Sequence, residues 1–156
     1  MTDIIRGPQG ATGTRGPQGR QGVKGVKGDR GVVGTQGIPG MQQYLTVLAG
    51  ENLGGNRVVY IADGRAFYAD SDNLTCSNAS VGITNGASVL DDIINIQTSG
   101  YMQEPSWQWS TNLPLFLGVN GLLTQTMPST GFSQIIGIVT SSIEIIIQIQ
   151  PSIILG

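Results

Sequence analysis

From Met41 to the end of the chain, apolar and polar residues exchange places with a period of two, the spacing of a half-buried β-strand. Tyr44–Leu48 alternates and then breaks at Gly50 and Gly54-Gly55. Arg57–Ala62 is rich in Val, Tyr and Ile and ends at Asp63-Gly64, a strong hairpin signal, so Arg65–Ala69 reads as its return strand. Asp70–Ala79 is polar and irregular, with room for one helical turn capped by Ser71 or Asp72. Further strands are expected at Ser80–Thr84, at Asp92–Thr98 (closed by Ser99-Gly100), and at Tyr101–Trp109, which Pro105 interrupts. Leu115–Gly118 and Leu122–Thr126 flank a tight turn at Val119-Asn120-Gly121. Phe132–Thr140 and Ile143–Gln150 form the last pair, joined by Ser141-Ser142, with Pro151–Leu155 as a tail. These make about nine or ten short strands with no competing segment of helical period. The pattern predicts an all-β head over residues 41–156, a β-sandwich of jelly-roll type.

The last of these strands is unusually apolar. Ile143, Ile145, Ile147 and Ile149 share one face, and Glu144, Ile146, Gln148 and Gln150 share the other. Such a strand at an open edge would aggregate, so it is expected inside the head or against a neighbouring subunit. Glu144 then needs a partner; a polar layer with Gln148 near a three-fold axis would supply one.

Ahead of the head the period is three. Glycine stands at Gly7, Gly10, Gly13, Gly16, Gly19, Gly22, Gly25, Gly28, Gly31, Gly34, Gly37 and Gly40 without a miss. A Gly-X-Y run of this kind marks the collagen triple helix, in which only glycine fits where three polyproline-II-like strands meet. Pro8 and Pro17 at X and Pro39 at Y favour the required φ. Arg15, Lys24, Lys27 and Arg30 fall at Y, and Lys27 lies close to Asp29 at the next X position, where exposed ion pairs between staggered chains would add ~0.5 kcal/mol each. At ~3.1 Å per residue the run would extend roughly 100 Å. The sequence therefore predicts three domains in a homotrimer: a short attachment segment at 1–6, a collagen-like stem at 7–40 and a β head at 41–156.

Charge divides the chain at the same place. Residues 1–40 hold Arg6, Arg15, Arg20, Lys24, Lys27 and Arg30 against Asp3 and Asp29. The remainder holds Arg57 and Arg65 against Glu51, Asp63, Asp70, Asp72, Asp91, Asp92, Glu104 and Glu144. An acidic head lacks the basic footprint of a nucleic-acid binder. The chain has no histidine, which excludes His-dependent catalytic triads and His-based metal sites. Its one cysteine, Cys76, cannot form an intrachain disulfide and reads as a small buried thiol. Met1–Arg6 has no apolar signal-peptide region, and the Ile-rich C-terminal segment is interrupted well short of the ~18 apolar residues a membrane helix needs. No cofactor, metal or membrane insertion is expected.

A collagen-like run followed by a head containing Arg57-Val-Val-Tyr-Ile-Ala-Asp-Gly64, Val81-Gly-Ile-Thr84, Pro114-Leu-Phe-Leu-Gly-Val-Asn-Gly121 and Ser133-Gln-Ile-Ile-Gly137 resembles a bacteriophage tail fibre with a C-terminal receptor-binding tip. The resemblance implies a homotrimeric virion protein that attaches to the host cell surface. It implies synthesis in the host cytoplasm without a signal peptide and action outside the cell. Residues 1–6 would then dock on a tail or baseplate protein. Its partner at the tip would be a bacterial surface polysaccharide or lipopolysaccharide. A purely structural trimeric fibre module, a capsule-degrading glycosidase and a spore-surface collagen-like glycoprotein are the alternatives. Nothing in the spacing of the eight head carboxylates selects a catalytic pair, so no enzyme is expected.

Trp107 and Trp109, two residues apart with Tyr101 nearby, would form an aromatic face for stacking on sugar rings if the segment is a strand. The competing reading places both tryptophans in the core or at a subunit interface. The polar stretches Glu51–Asn56, Asp70–Ser80 and Ser141-Ser142 offer hydroxyl partners, with Asn52, Asp70 and Asn73 as the ligand-binding residues; parity of strands puts these loops at one end. Asn73-Leu-Thr75 and Asn78-Ala-Ser80 match glycosylation sequons that a protein made in bacteria would not use. Asp91-Asp92 suits ordinary solvation or a cation.

Overall fold

The computed structural model describes residues 6–28 and 42–156. The chain divides into two units, Met1–Thr35 and Gln36–Gly156. In the first, residues 6–28 form no helix or strand and all are exposed. A β-carbon added at any glycine from Gly7 to Gly28 would meet nothing within 4 Å. The expected collagen-like helix is therefore not formed within one chain, as follows for a conformation with no internal hydrogen bonds. Met1–Ile5, Gly31, Gly34, Gly37 and Gly40 lie outside the described residues.

The second unit is all-β. In chain order its strands are β1 (Gln43–Ala49), β2 (Val58–Ala62), β3 (Arg65–Tyr68), β4 (Ser80–Thr84), β5 (Ile93–Gln103), β6 (Pro114–Leu117), β7 (Leu123–Thr124), β8 (Phe132–Ser133), β9 (Ile135–Ser141), β10 (Glu144–Ile147) and β11 (Ile153–Ile154). The Asp63-Gly64 turn forms as expected, pairing Ala62 with Arg65, with both turn residues at positive φ.

The expected sandwich is corrected to a barrel joined to a second sheet. β1 pairs in parallel with β3 and antiparallel with β5, and β3, β2, β4 and β5 follow one another, so five strands close into a ring. The far half of β5 then leads a further run, β5-β10-β9-β6-β7. The break expected at Ser99-Gly100 does not occur. β5 runs through it as one strand of 11 residues, with Gly100 at φ 88°, and serves both the barrel and the second sheet. The strand expected over Tyr101–Trp109 ends at Gln103, and the segment expected as Phe132–Thr140 is split into β8 and β9. β8 pairs instead with β11 from the tail.

Two cores result. Ala49, Leu53, Val59, Ala66, Ile94 and Ile96 fill the barrel. Val58, Ile83, Met102, Leu115, Leu117, Phe132, Ile136, Val139, Ile145 and Ile147 fill the space between the barrel wall and the second sheet, with the buried thiol of Cys76 among them. β2 is covered on both sides, which is why adjacent Val58 and Val59 are both fully buried. β4 approaches β5 so closely that a β-carbon at Gly82 would collide with the Gln97 carbonyl. β10 lies between β5 and β9 rather than at an edge, with Ile145 and Ile147 inward, as its composition requires.

Candidate functional site

Trp107 and Trp109 are neighbours, with ring centroids 5.8 Å apart and a 54° tilt. They stand in the loop after β5, where Trp107 N donates to Glu104 O (3.1 Å) and Trp109 N to Ser142 O (2.9 Å). Both rings are half-buried against the core beneath the second sheet, and Trp109 Nε1 is buried with no acceptor among the described residues. Tyr101 does not join them. Its neighbour Met102 faces that core, while Tyr101 lies on the other face of β5 opposite Ile146. The two tryptophans thus pack against the core, as the competing reading has it, and Tyr101 stands apart from them.

The three polar residues also part company. Asp70 accepts from Asp72 N (2.9 Å) and Asn120 N (3.1 Å). Asn73, rather than Ser71 or Asp72, caps the 3-10 turn Leu74–Cys76 by accepting from Thr75 N and Oγ1. The Asp70–Ala79 loop is held against Gly118 and Phe132, whereas Ser142 lies beside Trp109. Asn52 alone stands in a sizeable groove.

That groove, of about 1090 Å³, lies at the end of β1 away from Gln42. Leu48 and Ile93 face each other across β1 and β5 and are 39% and 69% exposed; Val89 and Leu90 beside them are 58% and 53% exposed. The turn segment after β4 is folded over this end by reciprocal bonds between Leu53 and Ser88 (2.8 and 2.9 Å). Asn52 Oδ1 accepts from Leu90 N (2.9 Å), and its Nδ2 has no partner among the described residues. The Asp91 carboxylate is paired with Arg65, while Asp92 is exposed. An apolar floor with an amide, hydroxyl and carboxylate rim suits a ring that is C–H on its faces and hydroxylated at its edge. Sequence reasoning did not single out Leu48, Val89 or Ile93, which line the groove. The signal was two successive large apolar residues, Val89-Leu90, inside a turn.

A second groove, of about 560 Å³, is polar and adjoins Gln42. Tyr44 and Tyr101 flank it. Glu104 sits at its edge, accepting from Ser106 N and Asn56 Nδ2 (both 3.1 Å). These bonds, the backbone one foremost, hold the Glu104 carboxyl below its ordinary value. A lowered carboxyl stabilises the fold above the ordinary carboxylate pKa, and that contribution disappears as pH falls through the lowered value. In an NMR titration of the Glu104 carboxyl, the midpoint is expected below the ordinary glutamate value, and Asn56→Ala should move it upward.

Among the described residues no group of three or more acidic or thiol side chains is placed to hold a metal, and no helix is long and apolar enough to cross a membrane. Compared with protein-family models and with curated proteins, the sequence matches none.

Proposed function

We propose that the chain is a homotrimeric adhesion protein of a bacteriophage tail fibre. Residues 7–40 form a collagen-like triple-helical stem, and the β head binds a bacterial surface polysaccharide or lipopolysaccharide. The single observation that carries the trimer is the glycine lattice. A β-carbon added at its described members, Gly7 to Gly28, would meet nothing within 4 Å, so no packing among the described residues accounts for the period. Two further copies around a common axis do explain it.

The groove beside Asn52 is the receptor site in this reading. Leu48, Val89 and Ile93 offer a surface for the C–H face of a sugar, and Asn52, Ser88 and Asp92 offer partners for its hydroxyls. Three such shallow sites on one stem bind through avidity rather than through any single strong contact.

Asn52→Asp tests the site, because the acceptor for Leu90 N is kept while the Nδ2 donor is lost and a negative charge is added beside Asp91 and Asp92. It should weaken single-site binding by ~1 kcal/mol, about fivefold, and reduce adsorption of the full-length protein to host envelopes further through avidity. Its thermal transition should stay unchanged. If the wild-type protein binds no surface polysaccharide or lipopolysaccharide from susceptible bacteria, the adhesion reading fails and a structural fibre module takes its place.

A further inference from the structure

The outer face of the second sheet carries a row of side chains contributed by four strands. Tyr101 of β5 lies opposite Ile146 of β10, Ile146 opposite Ile138 of β9, and Ile138 opposite Pro114 of β6. Residues directly opposite one another in a ladder share a face. The adjacent row, Met102, Ile145 and Val139, is buried in the core. The row from Tyr101 to Pro114 therefore points the other way, and Ile138 at its middle is 44% exposed. Glu144, two residues from Ile146 and on the same face, is held by Thr140 Oγ1 at 2.7 Å. An apolar row with a hydrogen-bonded polar margin has the make-up of a face that pairs with protein.

The occupant follows from where the row begins. Gln42 Nε2 donates to Tyr101 O (2.7 Å), so the chain enters the head beside the first member of the row. Gln42 is two residues past Gly40, the last glycine of the lattice. Two extended residues span at most ~7 Å. If three chains close about an axis as far as Gly40, that reach would keep their Gln42 residues, and Tyr101 with them, close to that axis. The exposed Leu48, Val89, Leu90 and Ile93 stand at the opposite end of β1, about 20 Å along the strand.

We infer that three copies of the head meet on the row Tyr101–Ile146–Ile138–Pro114, leaving the Asn52 groove open to solvent. This rests on the trimeric reading above. Each copy contributes the same row, and Glu144 lies in the polar margin of the contact.

Hydroxyl-radical footprinting of the intact full-length protein, with sedimentation of the same sample, tests it without a substitution. Ile138 and Leu90 are similarly exposed in the single chain, 44% and 53%, so without assembly they should oxidise at similar rates. A trimer in which Ile138 oxidises several-fold more slowly than Leu90 supports the assignment. A trimer in which Ile138 is as reactive as Leu90, or in which Leu90 is the protected residue, overturns it and leaves the trimer standing. Sedimentation as a single chain overturns the trimer itself and this interface with it.

Discussion

In the trimeric reading, Gly25→Ala should lower the thermal transition of the stem, while Val26→Ala, one residue on, should leave it nearly in place. The contrast cannot come from within one chain. A β-carbon at Gly25 would meet nothing within 4 Å, and Val26 is 98% exposed, so both positions are open. In an isolated flexible segment, replacing glycine by alanine restricts the unfolded chain and, if anything, stabilises by ~0.4–1 kcal/mol. In a triple helix the sign reverses, because the new methyl enters the axis in all three chains at the same level. If each methyl behaves like one forced into a packed core, it costs ~1–3 kcal/mol. Val26 occupies an X position, where side chains point outward, and carries no such penalty. Circular dichroism melts at equal chain concentration, with sedimentation alongside, check this. The head is a separate unit, so its own transition should not move. A stem that shows no cooperative transition, or one indifferent to Gly25→Ala, ends the trimer reading.

The strands were legible where period and punctuation acted together. Val58–Ala62 and Arg65–Tyr68 form where alternation meets Asp63-Gly64, because a two-residue turn fixes its own register. The closure of the barrel was not legible. Alternation reports which face of β1 is buried, but not that one edge of β1 meets β3 while the other meets β5. Val58 and Val59 hint at a wall covered on both sides, since a strand with one wet face would not bury two successive valines. Ser99-Gly100 carries ordinary turn chemistry, yet β5 passes through it because partners on both sides, β1 before and β10 after, hold the strand extended. The surroundings of the candidate site residues were less legible than the strands for a related reason. Asn73 and Asp70 look like ligand residues by type, but short polar side chains first satisfy the nearby backbone. Tyr101 and Trp107 are close in sequence but lie on different faces, because β5 ends between them. Asn52 is a candidate by composition alone, and the apolar residues around it come from β1, β5 and the turn after β4, which only the fold brings together.

Phe132→Ala should be the most damaging of the single substitutions in the head. Phe132 is fully buried, in the core that joins the barrel wall to the second sheet. Its position is fixed from several sides. Its N–H donates to Ser71 O (2.9 Å), and β8 pairs it with Ile154 of β11. Gly131 before it has φ 69°, and a β-carbon there would collide with Ser71 O. A backbone held this way cannot collapse into the space left by a lost ring, so the cavity term adds to the lost transfer energy. The expected cost is ~3–5 kcal/mol, or roughly 10–25 °C in the head's melting temperature for a domain of this size. Ile154→Ala removes the side chain directly opposite on the neighbouring strand. That residue is 57% exposed, so its loss should cost less than ~1 kcal/mol. The pair separates core from ladder, since both residues sit in the same two-stranded sheet and only one reaches the interior. Thermal melts at one fixed chain concentration keep assembly from masking the difference. If the two substitutions lowered the transition equally, the ring of Phe132 would not be part of a shared core, and the second sheet would be held to the barrel by β5 alone.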